Sequence, residues 1–184
     1  IPDNPADLTM VYFGGPDVAG HRFWRHYMPH EYEWAGESPE VDRALMCTIP
    51  NYYQWVDEMI GDLVAAAGGL ESEDLVVMVL SDHGMHAVSQ DKPNQFGTSG
   101  NHQDGVPGVL VAAGPGIRKQ GGVERFLADG VLPTLGTVYA IAPEVLGLLG
   151  IPQARDMNAR PWKPLFTAEA WERIQALDRV DSHD

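Results

Sequence analysis

One stretch constrains this chain more than any other. Leu75-Val76-Val77-Met78-Val79-Leu80 runs without a polar residue and is followed at once by Ser81-Asp82-His83-Gly84-Met85. An apolar run this short, rich in Val and Leu and bounded by polar residues, reads as a strand buried on both faces, the kind that parallel sheets contain. Open α/β sheets bind their ligands beyond the carboxyl ends of such strands. Asp82 and His83 stand at that end. A hard carboxylate oxygen beside an imidazole suits zinc or a similar divalent cation.

The same pattern occurs near the start. Leu8-Thr9-Met10-Val11-Tyr12-Phe13 reads as a first buried strand, Gly14-Gly15-Pro16 breaks it, and Asp17 and His21 follow. Their four-residue spacing lets both side chains face one point, across a helical turn or within a tight loop. Asp-x-x-x-His is a weak motif alone. Two strand ends carrying the same pair of residue types arise by chance far less often. Between them, Ser38-Pro39-Glu40 is a helix start and Pro50 interrupts or kinks whatever runs through it. Tyr52, Val56, Met59, Ile60, Leu63, Val64 and Ala67 then share one helical face, and Gly68-Gly69 ends that helix. Strand, crossover helix and strand make a βαβ unit whose strands are parallel. Asp17, His21, Asp82 and His83 are thereby expected at one edge of one sheet.

The polar, Gly-rich loop from His86 to Pro107 is long enough to be functional, and it contains Gly97-Thr98-Ser99-Gly100-Asn101-His102. Gly108 to Ala113 reads as a third buried strand. His102 is placed to reach back to the site as a loop ligand. His86 is a weaker candidate, because the turn after Met85 should carry it away. His26 and His30 lie among Phe23, Trp24, Tyr27, Tyr32 and Trp34, where packing is favoured over a further ligand role or a stacking wall for an aromatic substrate group. Pro143 to Gly150 reads as a helix, and Thr167 caps a last one with Trp171, Ile174 and Leu177 as its apolar stripe. Val180 to Asp184 reads as a frayed end. No boundary or repeat divides residues 1–184 beyond the twofold strand-and-ligand theme, so one domain is expected.

A net charge of −14 argues against binding along a nucleic-acid backbone, which needs Lys and Arg to displace counterions. It leaves room for an anionic substrate, since divalent cations dominate the field at their own site. Cys47 is the only cysteine, which excludes an internal disulfide and a thiolate metal cluster. No apolar run is long enough to span a bilayer.

The residues so far give five candidate ligands: Asp17, His21, Asp82, His83 and His102. The order Asp-x-x-x-His, then Ser-Asp-His-Gly-Met, then Gly-Asn-His ahead of Gly-Val-Leu-Val-Ala-Ala-Gly-Pro-Gly-Ile closely resembles the alkaline phosphatase superfamily. The nearest branch is the type I phosphodiesterase and nucleotide pyrophosphatase group with its phosphohydrolase and phosphomutase relatives. Asp17-Val-Ala-Gly-His-Arg-Phe-Trp24, Tyr52 to Asp57, Ala142 to Pro152 and Arg155-Asp156-Met157-Asn158 carry the resemblance along nearly the whole chain.

The resemblance implies a three-layer α/β/α fold with a mainly parallel central sheet, incomplete at its N-terminal side here. It implies two divalent ions, zinc first and manganese as the alternative. Asp17, His21 and His102 would hold one, and Asp82 and His83 would share the second. The reaction implied is hydrolysis of a small-molecule phosphate ester by a Thr or Ser alkoxide, through a covalent phospho-enzyme. In the family that nucleophile, and a further Asp ligand, lie upstream of the strand seen here as Leu8–Phe13. The seven residues before Leu8 contain no Ser or Thr. Ser81 and Ser99 match no nucleophile position. The chain is therefore expected to be the C-terminal portion of a larger catalytic domain and inactive alone. A phosphomutase, a sulfatase of the same superfamily and a metal-free interaction domain are the competing readings.

Overall fold

Gly14-Gly15-Pro16 does more than end an extended segment: it begins a helix. A computed structural model of the chain describes residues 6–32, 39–88, 98–103, 106–119 and 136–181. Helix α1 runs from Gly15 to Tyr27, with Pro16 in the first turn, where a missing N–H costs nothing, and Asp17 beside it at the positive end of the helix dipole. α2 spans Pro39–Leu45 and α3 spans Thr48–Ala66. Ser38, the expected cap of α2, lies outside the described residues. α3 starts before Tyr52, the first residue of the expected helical face. Pro50 sits in its first turn, where the backbone N–H has no intrahelical partner to lose, so the helix passes through it unbroken. Gly68 and Gly69, at φ of 107° and 83°, take the left-handed conformation that stops it.

Four short strands follow: β1 Val77–Leu80, β2 His86–Ala87, β3 Gly100–Asn101 and β4 Leu110–Ala113. β1 pairs with β4 and β2 with β3. The Ser81 N–H donates to Val109 O and the Gly84 N–H to Val106 O, so the chains beside β1 and β4 run in opposite directions. β2 and β3 are antiparallel, with His86 opposite Asn101 and Ala87 opposite Gly100. The described residues thus form helices with two small antiparallel pairs, and the mainly parallel sheet expected from the sequence is not among them. The difference begins at Leu8–Phe13. These residues belong to neither sheet, and Met10 and Tyr12 are 85% and 89% exposed. An apolar run becomes a strand only when a neighbour takes up its N–H and C=O groups. β2 and β3 lie within the stretch read as loop; residues 89–97 and 104–105 of that stretch are outside the described set.

The backbone divides into two compact units. The first comprises residues 1–69 and 79–111. In it α1 packs against α3, α2 and β3. The second comprises residues 70–78 and 112–184. Its helices are α4 (Ile141–Leu148) and α5 (Ala168–Gln175). Thr167 caps α5 by accepting the Ala170 N–H at 3.2 Å. Phe166, fully buried, forms the centre with Leu165, Ile117, Ala170 and Ile174. Val180 is tied down rather than frayed: it pairs with Ala154 and accepts the Arg155 N–H at 2.9 Å.

Candidate metal centre

Asp17 and His21 lie one turn apart on α1, which puts both side chains on one face of that helix. His83 comes from the chain just beyond β1, and His102 directly follows β3. All four belong to the first unit. Asp17 Oδ1 is their centre. It lies 3.5 Å from His21 Nε2 and 3.8 Å from Nε2 of both His83 and His102. One ligand atom from each of Asp17, His83 and His102 falls within 4.8 Å of the other two, a grouping that could hold a metal ion. The rings of His83 and His102 stack 3.7 Å apart, and the His21 ring lies 5.0 Å from that of His102, tilted by 58°.

The backbone decides which nitrogens face inward. His21 Nδ1 is 2.8 Å from Gly100 O, and His83 Nδ1 is 2.9 Å from Gly84 O. A carbonyl only accepts, so each Nδ1 carries its ring proton. In a neutral imidazole Nε2 is then a lone pair. Those lone pairs point at Asp17 Oδ1, itself an acceptor, buried and with no hydrogen-bond partner among the described residues. With neutral rings, acceptors gathered around an acceptor leave every member unsatisfied. A cation among them converts the conflict into coordination. A tetrahedral zinc site with arms of about 2.05 Å has ligand–ligand edges of about 3.4 Å, close to the 3.5–3.8 Å from Asp17 Oδ1 to the histidine nitrogens. The nitrogen and oxygen donors also suit zinc. The residues present fit a divalent ion.

Asp82 stands to one side, 79% exposed, with Oδ1 3.7 Å from His83 Nε2. His83 therefore lies between two carboxylates. The grouping expected from the sequence assigns it to Asp82, whereas the geometry sets it as near to Asp17. The structure brings Asp17, His21, His83 and His102 together and reaches Asp82 only through His83.

The other described histidines, His26, His30 and His86, lie outside this grouping. His26 is buried, with Nδ1 2.7 Å from Asp42 Oδ1 and Nε2 accepting Arg25 Nε–H at 3.2 Å, which ties α2 to α1. His30 is exposed in the turn after α1. His86 pairs with Asn101 across β2 and β3. The aromatic stretch packs: the Trp24 indole N–H donates to Glu31 at 2.9 Å and stacks edge-on with Tyr27. The Tyr32 hydroxyl donates to Ser99 O at 2.5 Å, and burial pushes it up to about 12. Trp34 lies outside the described residues.

Sequence reasoning passed over the residues that aim the candidate ligands. Asn101 Oδ1 accepts the backbone N–H of His102 at 2.8 Å and of Gln103 at 3.1 Å, an Asx turn that fixes the segment bearing His102. Gly100 accepts from His21, and a Cβ there would collide with the Gly20 carbonyl. The signal was the cluster of small polar residues immediately before His102.

A family model described as Type I phosphodiesterase / nucleotide pyrophosphatase matches residues 2–127, a span that includes Asp17, His21, Asp82, His83 and His102. Comparisons with curated proteins and with solved structures gave no match.

Proposed function

This chain belongs to the type I phosphodiesterase/nucleotide pyrophosphatase family, and from that premise we propose that it contributes the metal-binding face of an enzyme that hydrolyses phosphoric esters with divalent ions. Family membership itself points to phosphoester hydrolysis of the phosphodiesterase or pyrophosphatase kind. The finer reading assigns Asp17, His21 and His102 to one ion, and Asp82 and His83 to a second. Zinc is the expected metal and manganese the alternative. A small phosphodiester, nucleotide pyrophosphate or phosphomonoester is the substrate class.

The observation that carries this reading is Asp17 Oδ1, buried, without a hydrogen-bond partner among the described residues, and facing imidazole nitrogens. When bound, the ions supply Lewis acidity and neutralise charge on the phosphoryl oxygens. The chain's own residues prepare the seat. Gly100 O and Gly84 O hold the Nδ1 protons of His21 and His83, so the ligating nitrogens are already turned inward. Asp82, exposed beside His83, is open to solvent and to a substrate from that side.

The Thr or Ser nucleophile belongs, in this proposal, to residues upstream of Ile1. Leu8–Phe13, unpaired among the described strands, takes its partners from the same part and completes the three-layer domain there. The test is hydrolysis of bis(p-nitrophenyl) phosphate with zinc or manganese. The protein extended upstream of Ile1 is expected to turn over, and to stop doing so as Asp82→Ala, while residues 1–184 alone do not. An extended protein inert toward aryl phosphodiesters and monoesters alike would remove the hydrolase reading. Turnover by residues 1–184 alone would remove the upstream nucleophile.

A further inference from the structure

Ser99 is 2% exposed, three residues before His102, and it has no part in the proposed ligand set. Each of its polar groups is bonded, and most of its partners lie on or just beyond α1. Its backbone N–H donates to His21 O at 2.6 Å. Its hydroxyl is 3.2 Å from Arg22 O and 3.4 Å from His21 O, both acceptors, and the hydroxyl oxygen accepts the Arg25 N–H at 3.2 Å. Its carbonyl accepts the Tyr32 hydroxyl at 2.5 Å and the Val88 N–H at 2.8 Å. The side chain thus occupies the backbone of the turn that begins at His21. The main chain joins that turn to Val88, just beyond β2.

We infer that Ser99 is the positioning residue of the metal centre, the clamp that sets the distance between the α1 ligands and His102. Asp17 and His21 ride on α1, whereas His102 rides on the segment leaving β3. Nothing covalent fixes their separation. Ser99 does so at one end, and the next residues carry the constraint forward: Gly100 against Gly20 and the His21 ring, then Asn101 capping His102. A methyl group in place of this buried hydroxyl can neither donate to His21 O and Arg22 O nor accept the Arg25 N–H, so the side chain loses its hold on α1. Ser99 therefore acts through His102 and His21, as the partners that orient metal ligands do.

This inference rests on the metal reading above, and the experiment separates the two. Zinc affinity by calorimetry and the visible absorption of the cobalt form are measured for residues 1–184, well below the melting temperature, in wild type, Ser99→Ala, Ser99→Thr and Tyr32→Phe. Ser99→Ala is expected to weaken zinc binding about tenfold or more and to dim the cobalt band, as losses of outer partners do. Ser99→Thr, which keeps the hydroxyl, recovers most of the affinity. Tyr32→Phe gives a smaller loss. A merely structural Ser99 would lower the melting temperature and leave affinity and spectrum alone. Ser99→Ala binding zinc within about twofold of wild type overturns the inference while the metal centre stands. If Ser99→Ala does not fold, Tyr32→Phe decides, and unchanged affinity and spectrum there overturn the inference. A wild type that takes up no zinc overturns both.

Discussion

Asp17 and Glu144 each bury a carboxylate oxygen that finds no hydrogen bond among the described residues, Oδ1 in one and Oε2 in the other. Their surroundings differ in kind. Asp17 Oδ1 faces the Nε2 atoms of three histidines, two of them turned inward by backbone carbonyls. Glu144, 2% exposed in the first turn of α4, has one donor, the Trp162 N–H at 3.3 Å on Oε1. Burial raises its pKa from the ordinary 4.5, and the Trp162 bond only partly opposes this. A carboxylate ringed by acceptors is satisfied by a cation, and one buried with a lone donor is relieved by a proton. Burial alone does not mark a metal seat. The neighbours' lone pairs do.

The strongest way to break this contrast is Asp17→Asn, which keeps the shape and removes the charge. Zinc affinity is expected to fall by more than the roughly 10–100-fold that lost outer partners cause. The metal-free variant should melt higher than wild type, by about 1 kcal/mol, because the new amide can donate to the lone pairs that Asp17 opposes. Excess zinc should reverse that order, since binding at 100 times Kd adds about 2.7 kcal/mol to wild type alone. Thermal melts with and without zinc read the crossing.

His102→Ala comes next, expected to weaken zinc by about tenfold or more while far-UV circular dichroism stays unchanged, and His83→Ala, assigned with Asp82 to the second ion, is expected to weaken it less. Equal effects would support the shared seat seen in the geometry. A much smaller effect of His83 would support its assignment to Asp82.

At Glu144 the contrast predicts a pH dependence and no change in zinc binding. A carboxyl whose folded pKa is raised keeps a proton that the unfolded chain has released, so stability falls as pH rises above 4.5. Glu144→Gln cannot lose a proton. Its stability relative to wild type should grow from pH 4 to pH 7 in denaturant titrations, and a flat difference would contradict the burial argument. The smallest effect is expected at Asp82→Ala. In residues 1–184 it should change zinc affinity by no more than about fivefold, the equivalent of the ~1 kcal/mol that exposed charges contribute.

The sequence made the candidate ligands legible and the scaffold only partly so. Asp17, His21, Asp82, His83 and His102 could be picked out because carboxylates and imidazoles at element ends are chemically conspicuous. The body and end of α3 were legible too, from a repeating apolar face and the Gly68-Gly69 stop. Leu8–Phe13 stays unpaired among the described residues because strand propensity is local and pairing is not: the apolar run of β1 finds β4 beside it, and Leu8–Phe13 finds no described strand. The parallel strands expected to bring the two Asp–His pairs together are not shown among the described residues, where α1 and the chain beyond β1 place those side chains. Ser99 was invisible because its role lies in bonds to backbone atoms far along the chain, which periodicity cannot register.

The central claim is that Asp17 Oδ1 is the heart of a metal seat. Its most direct test is the metal content of purified residues 1–184 after equilibration with zinc and exhaustive dialysis, measured beside Asp17→Asn. The account predicts about one zinc ion per chain in wild type and almost none in the variant, since the second seat keeps only Asp82 and His83 in this chain. Equal zinc in both proteins, or none in either, would contradict it.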